Sequence, residues 1–168
     1  MMGRSTVTSG GFSLMELLVV IAIAGLLATA TWSRLALMAP KYRLGGATRV
    51  VAAEAQRARG RAISEGKCGM LAIDRVAKTT KVGVATTSSP CPTVVTSYTF
   101  EGASAIDDTG TIAVESSVTP GSAPTNPIFN SRGGAEPTSG LYPSIRFYNV
   151  LGDGRLVLVN AAGRVQIQ

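Results

Sequence analysis

Histidine is absent from this chain of 168 residues, which removes the commonest general base and metal ligand of proteins. No triad or dyad that depends on histidine can therefore form. The two cysteines are too few for a four-thiolate zinc site. The composition weighs against most familiar hydrolases, and we expect no catalytic residue, no metal, no cofactor and no small-molecule substrate.

Charged and aromatic residues are also scarce. Only 15% of the residues are charged and 5% are aromatic, whereas an ordinary soluble domain is about 25% charged. Apolar residues make up 45% of the chain, which is too many for long disorder. The 16 basic and 10 acidic residues give a net charge of +6.

The longest apolar run lies near the amino terminus, from Phe12 to Trp32. Its 21 residues contain one charge, Glu16. A helix of this length spans about 31 Å, and the apolar core of a bilayer is about 30 Å thick. The run is too long for a secretory signal peptide, and the sequence therefore predicts a single membrane pass. A carboxylate in such a segment is a functional candidate, although Glu16 could instead lie inertly at the headgroup boundary.

The segment from Gly11 to Leu17 resembles the type III signal of type IV pilins and type II secretion pseudopilins. In that family a prepilin peptidase cuts after the glycine, and the new terminal residue is N-methylated. The resemblance implies that residues 1–11 are a leader and that the mature chain begins at Phe12. It also implies that the Glu16 carboxylate pairs with the Phe12 amine of a neighbouring subunit during assembly. Ser13 stands where the family usually has threonine.

A second helical pattern runs from about Lys41 to Glu65. We expect Pro40 to interrupt the helical pattern and to kink it. The expected parts are a transmembrane and filament-core helix (12–39) and an amphipathic helix (40–66). Gly66 suits a carboxy-terminal cap, and the charged side chains include the helix-neighbour pairs Glu54–Arg57 and Arg61–Glu65. The apolar residues that recur at three- and four-residue spacing are Leu44, Ala47, Val51, Ala55, Ala58 and Ala62.

From residue 67 onward the pattern predicts a β-rich globular head (67–168). Seventeen of the 28 residues from 116 to 143 are Pro, Gly, Ser or Thr, which predicts a long loop. The expected fold class is α+β and pilin-like, with a long amino-terminal helix packed on an antiparallel β-sheet head. The expected strands are Met70–Asp74, Lys81–Thr86, Val94–Phe100, Thr111–Glu115, Ser144–Val150, Arg155–Asn160 and Arg164–Gln168.

A helix followed only by strands, with Gly163-Arg164-Val165 close to the end, resembles one branch of this family, the H-type minor pseudopilins and FimT-like minor pilins (GspH/FimT-like). The resemblance implies a structural subunit of a type II secretion pseudopilus or a type IV pilus. The implied partners are other pilin or pseudopilin subunits, the prepilin peptidase and the inner-membrane assembly platform. The implied location is the bacterial inner membrane, with the head in the periplasm. A major type IV pilin stays open, and a membrane-anchored enzyme is disfavoured by the missing histidine.

Cys68 and Cys91 are 23 residues apart. A periplasmic head would lie in an oxidising compartment, where disulfides persist. We therefore expect a disulfide, which would contribute about 3 kcal/mol for a loop of this size. The alternative is a pair of buried free thiols.

Basic residues are concentrated between Arg34 and Lys81, which hold 11 of the 16. This pattern is typical of a solvated helix face, but it also suits a patch for nucleic acid. FimT-like minor pilins of some bacteria bind DNA, and the resemblance implies a role for a terminal Gly-Arg-x-Arg motif. This chain keeps only the first arginine, so Arg164 is a possible contact for weak DNA binding. Asp108-Thr109-Gly110 matches the aspartic-protease signature, but no second copy exists and we expect a turn there.

Overall fold

The computed structural model describes residues 13–107, 109–117, 125–138 and 140–168, without the side chains of residues 30–37. The chain divides by its internal contacts into two compact units, which meet between Met38 and Ala39. The described residues form a single α-helix, α1 (Leu14–Glu65), followed by strands and one short 3-10 turn, Val95–Ser97. The expected α+β pilin-like class, a long helix and an antiparallel head, is confirmed.

Helix α1 is 52 residues long and contains Pro40. The expected interruption at Pro40 is wrong, because the helix continues through it. A proline inside a helix removes one backbone hydrogen bond, and the bonds of the neighbouring turns maintain the helix here. Helix α1 ends in the predicted cap: Gly66 has φ +64°, and the amides of Gly66 and Lys67 donate to the carbonyls of Ile63 and Ala62 at 3.3 and 3.1 Å.

Two antiparallel sheets follow. The first sheet has five strands in the order β3-β2-β1-β5-β6, and the second has four in the order β4-β7-β8-β9. The strands are β1 (Gly69–Asp74), β2 (Thr79–Ala85), β3 (Tyr98–Ala105), β4 (Ala113–Ser116), β5 (Ile128–Phe129), β6 (Ala135–Glu136), β7 (Ser144–Tyr148), β8 (Gly154–Val159) and β9 (Val165–Ile167).

The expected loop over 116–143 needs correction. Within it, β5 pairs with β1 and β6 pairs with β5, and Phe129 is completely buried. The sequence concealed these strands because each has only two residues, too few to show a period of two. The strand expected over Val94–Phe100 also needs correction, because strand β3 begins at Tyr98 and continues to Ala105.

The core lies between the second half of α1 and both sheets. All six residues of the predicted apolar stripe on α1 are buried in one cluster with Leu71 of the first sheet and Phe147 of the second. Small side chains let the helix come close to β1: a Cβ added to Gly69 would lie 2.5 Å from the Ala58 carbonyl oxygen. The predicted stripe is therefore confirmed as the face on which the head is built.

Candidate functional site

The bond between Gly11 and Phe12, where the sequence predicts processing, lies outside the described residues, and Glu16 lies just inside them. Glu16 is in the first turn of α1, and its amide donates to the Ser13 carbonyl at 3.0 Å. A carboxylate in the first turn interacts favourably with the positive end of the helix dipole. The Glu16 side chain is exposed and thus available to a partner.

The apolar surface of α1 around Glu16 is uncovered in the single chain. Every side chain from Ser13 to Thr29 is exposed, and Leu14, Leu26 and Leu27 are 76%, 73% and 64% accessible. A helix that is apolar on all sides is normally buried in protein or lipid. This surface therefore requires a cover in the working state. Within the described residues, no helix combines the length and the hydropathy needed for a membrane span.

The structure joins Cys68 and Cys91 in a disulfide, with their Cα atoms 5.5 Å apart. Cys68 is fully buried and packs with Met70, Tyr98 and Ile128 on the face of the first sheet that lies away from α1. The Tyr98 hydroxyl donates to the Pro92 carbonyl at 2.7 Å. Burial, together with the nearby Glu136 carboxylate, raises the pKa of Tyr98 to about 12. The disulfide and this hydrogen bond both attach the segment before β3 to the sheet.

Two arginines of α1 are engaged in ion pairs with the head. The Arg61 guanidinium lies 2.6 Å from the Glu65 carboxylate and 2.8 Å from that of Glu101 in β3. The Arg57 guanidinium lies 3.7 Å from the Glu54 carboxylate and 3.8 Å from that of Glu101. The helix-neighbour pairs expected from the sequence are therefore present. Carboxylates therefore pair with Arg57 and Arg61, which favours a solvated, ion-paired helix surface over a nucleic-acid patch at these two residues.

Arg164 follows a glycine that the packing requires. Gly163 has φ +70°, and a Cβ there would overlap the Gly133 carbonyl oxygen and lie 2.9 Å from Arg59 Nε. Arg59 Nε donates to that same carbonyl at 2.8 Å. The three elements that meet here are α1, the β5–β6 turn and the β8–β9 turn. The Arg164 side chain is exposed, and it makes no ion pair with any described residue.

Sequence reasoning missed Arg59 and Gly133, which hold this junction. The glycine pair at 133 and 134 was visible, but only as part of a loop-like composition. Nothing in the sequence pairs Arg59 with a residue 74 positions away.

Asp107 holds a turn. Burial raises its pKa, but donors from the Thr109 hydroxyl and from the amides of Ile112, Thr109 and Thr111 outweigh that effect and leave the pKa below its ordinary value. A carboxyl tied to this many donors is a structural acceptor. Asp108 lies outside the described residues. Within the described ranges, no three cysteine or acidic side chains gather where they could hold a metal ion.

Comparison with known proteins identifies the amino-terminal segment. Residues 8–32 match the model of the prokaryotic N-terminal methylation motif, which includes the Gly11–Phe12 bond and Glu16. The match is confined to this segment, and the rest of the described chain contributes a long helix and an antiparallel head.

Solved structures share the fold at low sequence identity. The type IV minor pilin FimU of Pseudomonas aeruginosa PAO1 aligns with a TM-score of 0.56 and 16% identity, over 76% of this chain and 90% of that one. The minor pseudopilin EpsH from the type 2 secretion system of Vibrio cholerae aligns with a TM-score of 0.50 and 8% identity, over 72% of this chain and 92% of that one. No curated protein matches the chain.

Proposed function

We propose that the chain is a structural subunit, a minor pilin or pseudopilin, and not an enzyme. The observation that carries this proposal is the exposed apolar surface of α1 from Ser13 to Thr29, interrupted only by Glu16 and preceded by the methylation motif. Such a surface needs either lipid or identical helices around it. A filament subunit has both in turn, lipid before assembly and neighbouring helices afterwards.

In the proposed sequence of events, the prepilin peptidase hydrolyses the Gly11–Phe12 bond and the Phe12 amine is methylated. The apolar run Phe12–Trp32 holds the subunit in the inner membrane as a single pass, with the head in the periplasm. At the assembly platform, α1 leaves the lipid and packs against the helices of other subunits. The Glu16 carboxylate then pairs with the Phe12 amine of a neighbour, because a charge in an apolar filament core needs a partner.

Two filaments suit this subunit. The fold is shared with a type IV minor pilin and with a type II secretion minor pseudopilin, so the head admits both. Co-purification with sheared pili or with an overexpressed pseudopilus distinguishes them.

The central test is maturation. In cells with an active prepilin peptidase, intact-mass measurement should find a mature chain that begins at Phe12, and Gly11→Val should retain the eleven-residue leader. A mature chain that begins elsewhere, or wild-type protein that stays uncleaved, would refute the proposal.

The second test is assembly. Glu16→Ala should be cleaved normally and found in the membrane, but should be absent from sheared filaments because the charge pair is lost. Leu17→Ala is the matched control, since it truncates an exposed neighbour in the same helical turn and keeps the carboxylate. Equal incorporation of both variants would mean that Glu16 has no role in assembly.

A second candidate function is weak DNA binding. It is favoured by Arg164, which is exposed and pairs with no acidic group that the structure describes, and by the exposed Arg132 in the adjoining β5–β6 turn. Contacts limited to phosphates would weaken steeply as the salt concentration rises. The full chain in detergent should bind duplex DNA at low salt and lose affinity with Arg164→Ala. Arg155→Ala, an exposed arginine at the other end of β8, controls for net charge. Equal loss in both variants, or no binding at low salt, would exclude a site at Arg164.

A further inference from the structure

The second unit presents a cluster of exposed residues at the point where the chain enters it. The unit begins at Ala39, and Lys41, Tyr42 and Arg43 follow with exposed side chains. Lys41 Nζ lies 3.7 Å from Asp153 Oδ1, which brings the β7–β8 turn (149–153) beside these residues. We call this region, together with the β1–β2 turn described next, the proximal end of the second unit.

The β1–β2 turn (75–78) lies at the same end. The Ile106 amide donates to the Lys78 carbonyl at 2.8 Å, and Ile106 and Arg43 line the same cavity of about 330 Å³.

 Asp107, which follows Ile106, lines this cavity as well. Both turns therefore belong to the proximal end.

Apolar side chains occupy the tips of both turns. Val76 is 89% accessible, Val150 is 70% and Leu151 is 50%, although turn tips are ordinarily polar. Tyr42, beside them on α1, is 77% accessible. No described residue of the second unit covers these side chains.

In each turn a side-chain oxygen accepts hydrogen bonds from two backbone amides of the same turn. Asn149 Oδ1 accepts the amides of Leu151 and Asp153 at 2.9 and 3.0 Å. In the other turn, Asp74 Oδ1 accepts the amides of Val76 and Ala77, both at 2.9 Å, and these bonds lower the pKa of Asp74. The turns thus present their apolar side chains in a fixed conformation, which reduces the entropy lost on contact with a partner.

We infer that the proximal end rests on the lipid surface while the subunit is held in the membrane, with the β7–β8 tip in the headgroup region. This inference depends on the proposed membrane-anchored state. Trp32 and Tyr42 are ten residues apart in sequence, and ten residues of chain reach at most about 36 Å, so the proximal end is tethered near the end of the apolar run. A tyrosine, apolar tips and the cations Lys41 and Arg43 suit an interface with anionic headgroups.

The test uses the mature full chain in vesicles of phosphatidylethanolamine and phosphatidylglycerol, with tryptophan as the probe. Trp32 is the only tryptophan, so Leu151→Trp and Leu141→Trp are each made in a Trp32→Phe background. Leu141 is the matched control, because it is a leucine of similar accessibility, 53%, and precedes the opposite end of β7. Lipids with brominated acyl chains should quench the tryptophan emission of Leu151→Trp, and binding to the membrane should shift that emission to the blue. The emission of Leu141→Trp should show neither change.

The outcomes separate this inference from the proposal beneath it. Quenching of wild-type Trp32 reports the membrane anchor by itself, and its absence would refute the anchored state and this inference with it. If Trp32 is quenched but Leu151→Trp is not, the anchor stands and the resting surface is refuted. Equal quenching of Leu151→Trp and Leu141→Trp would also refute the resting surface. If the tryptophan of Leu151→Trp is shielded from solvent only in assembled filaments, the proximal end contacts a neighbouring subunit and the resting surface is refuted as well.

Discussion

Replacing Gly163 with alanine should destabilise the head far more than a glycine substitution in the equivalent turn of the neighbouring hairpin. Gly163 and Gly152 both have positive φ, +70° and +82°, and both precede a strand of the second sheet. They differ in their surroundings: a Cβ at Gly163 overlaps the Gly133 carbonyl oxygen, whereas a Cβ at Gly152 meets nothing within 4 Å.

The expected magnitudes follow from that difference. Alanine in the left-handed region costs about 1–2 kcal/mol, and Gly152→Ala should show this cost alone. Gly163→Ala adds about 1–3 kcal/mol of steric overlap. If the Gly133 carbonyl moves, the bond from Arg59 is also weakened, and a hydrogen bond from a charged donor is worth about 1.5–3 kcal/mol.

Urea unfolding of the full chain in detergent, followed by pulse proteolysis, measures both variants. Arg59→Ala, alone and combined with Gly163→Ala, completes a cycle that should be less than additive, because both changes disturb the same carbonyl. Equal destabilisation by Gly163→Ala and Gly152→Ala would refute the argument from close approach, since only the shared backbone cost would remain.

Three further outcomes are expected. Non-reducing peptide mapping of periplasmic protein should find Cys68 linked to Cys91, and replacing both with alanine should lower the unfolding free energy by about 3 kcal/mol; free thiols at both positions would contradict the structure. Asp107→Asn should be less stable than wild type above the ordinary carboxyl pKa of 3.8. The difference in unfolding free energy should shrink as the pH falls through the lower pKa of the folded state, because protonation of Asp107 removes the same acceptor. A difference that does not depend on pH would contradict this. Arg61→Ala should cost about 1–3 kcal/mol and Arg57→Ala less than about 1 kcal/mol, since Arg61 is the more buried and more closely paired of the two; the reverse order in urea unfolding would contradict it.

The features that the sequence predicts well depend on local pattern. The buried stripe of α1 follows from three- and four-residue spacing, and the cap at Gly66 follows from a glycine directly after the last helical residue. The order of a helix followed by strands, and the longer strands such as β7 and β8, follow from a change of period. These interactions join residues close in sequence, so their pattern is visible in the chain.

The features that it predicts poorly depend on distant contacts. Ile128 and Phe129 form a strand only because β1 lies beside them, and no periodicity of their own indicates it. Pro40 is compatible with a continuous helix, although its missing amide predicts an interruption. The close approach of Gly163 to Gly133 joins the β8–β9 turn to the β5–β6 turn, and no local pattern in the sequence indicates it.

The close packing of α1 on β1 has a mechanical consequence. A pull along the axis of α1 reaches the head through the row of small residues that includes Ala58 and Ala62, which face Gly69. Such a pull loads these contacts in shear, so they resist together instead of separating one after another. Because α1 packs directly against the backbone of β1, a small displacement of the helix is enough to transfer force to the sheet. Tension applied to this part of the helix would therefore pass directly into the first sheet.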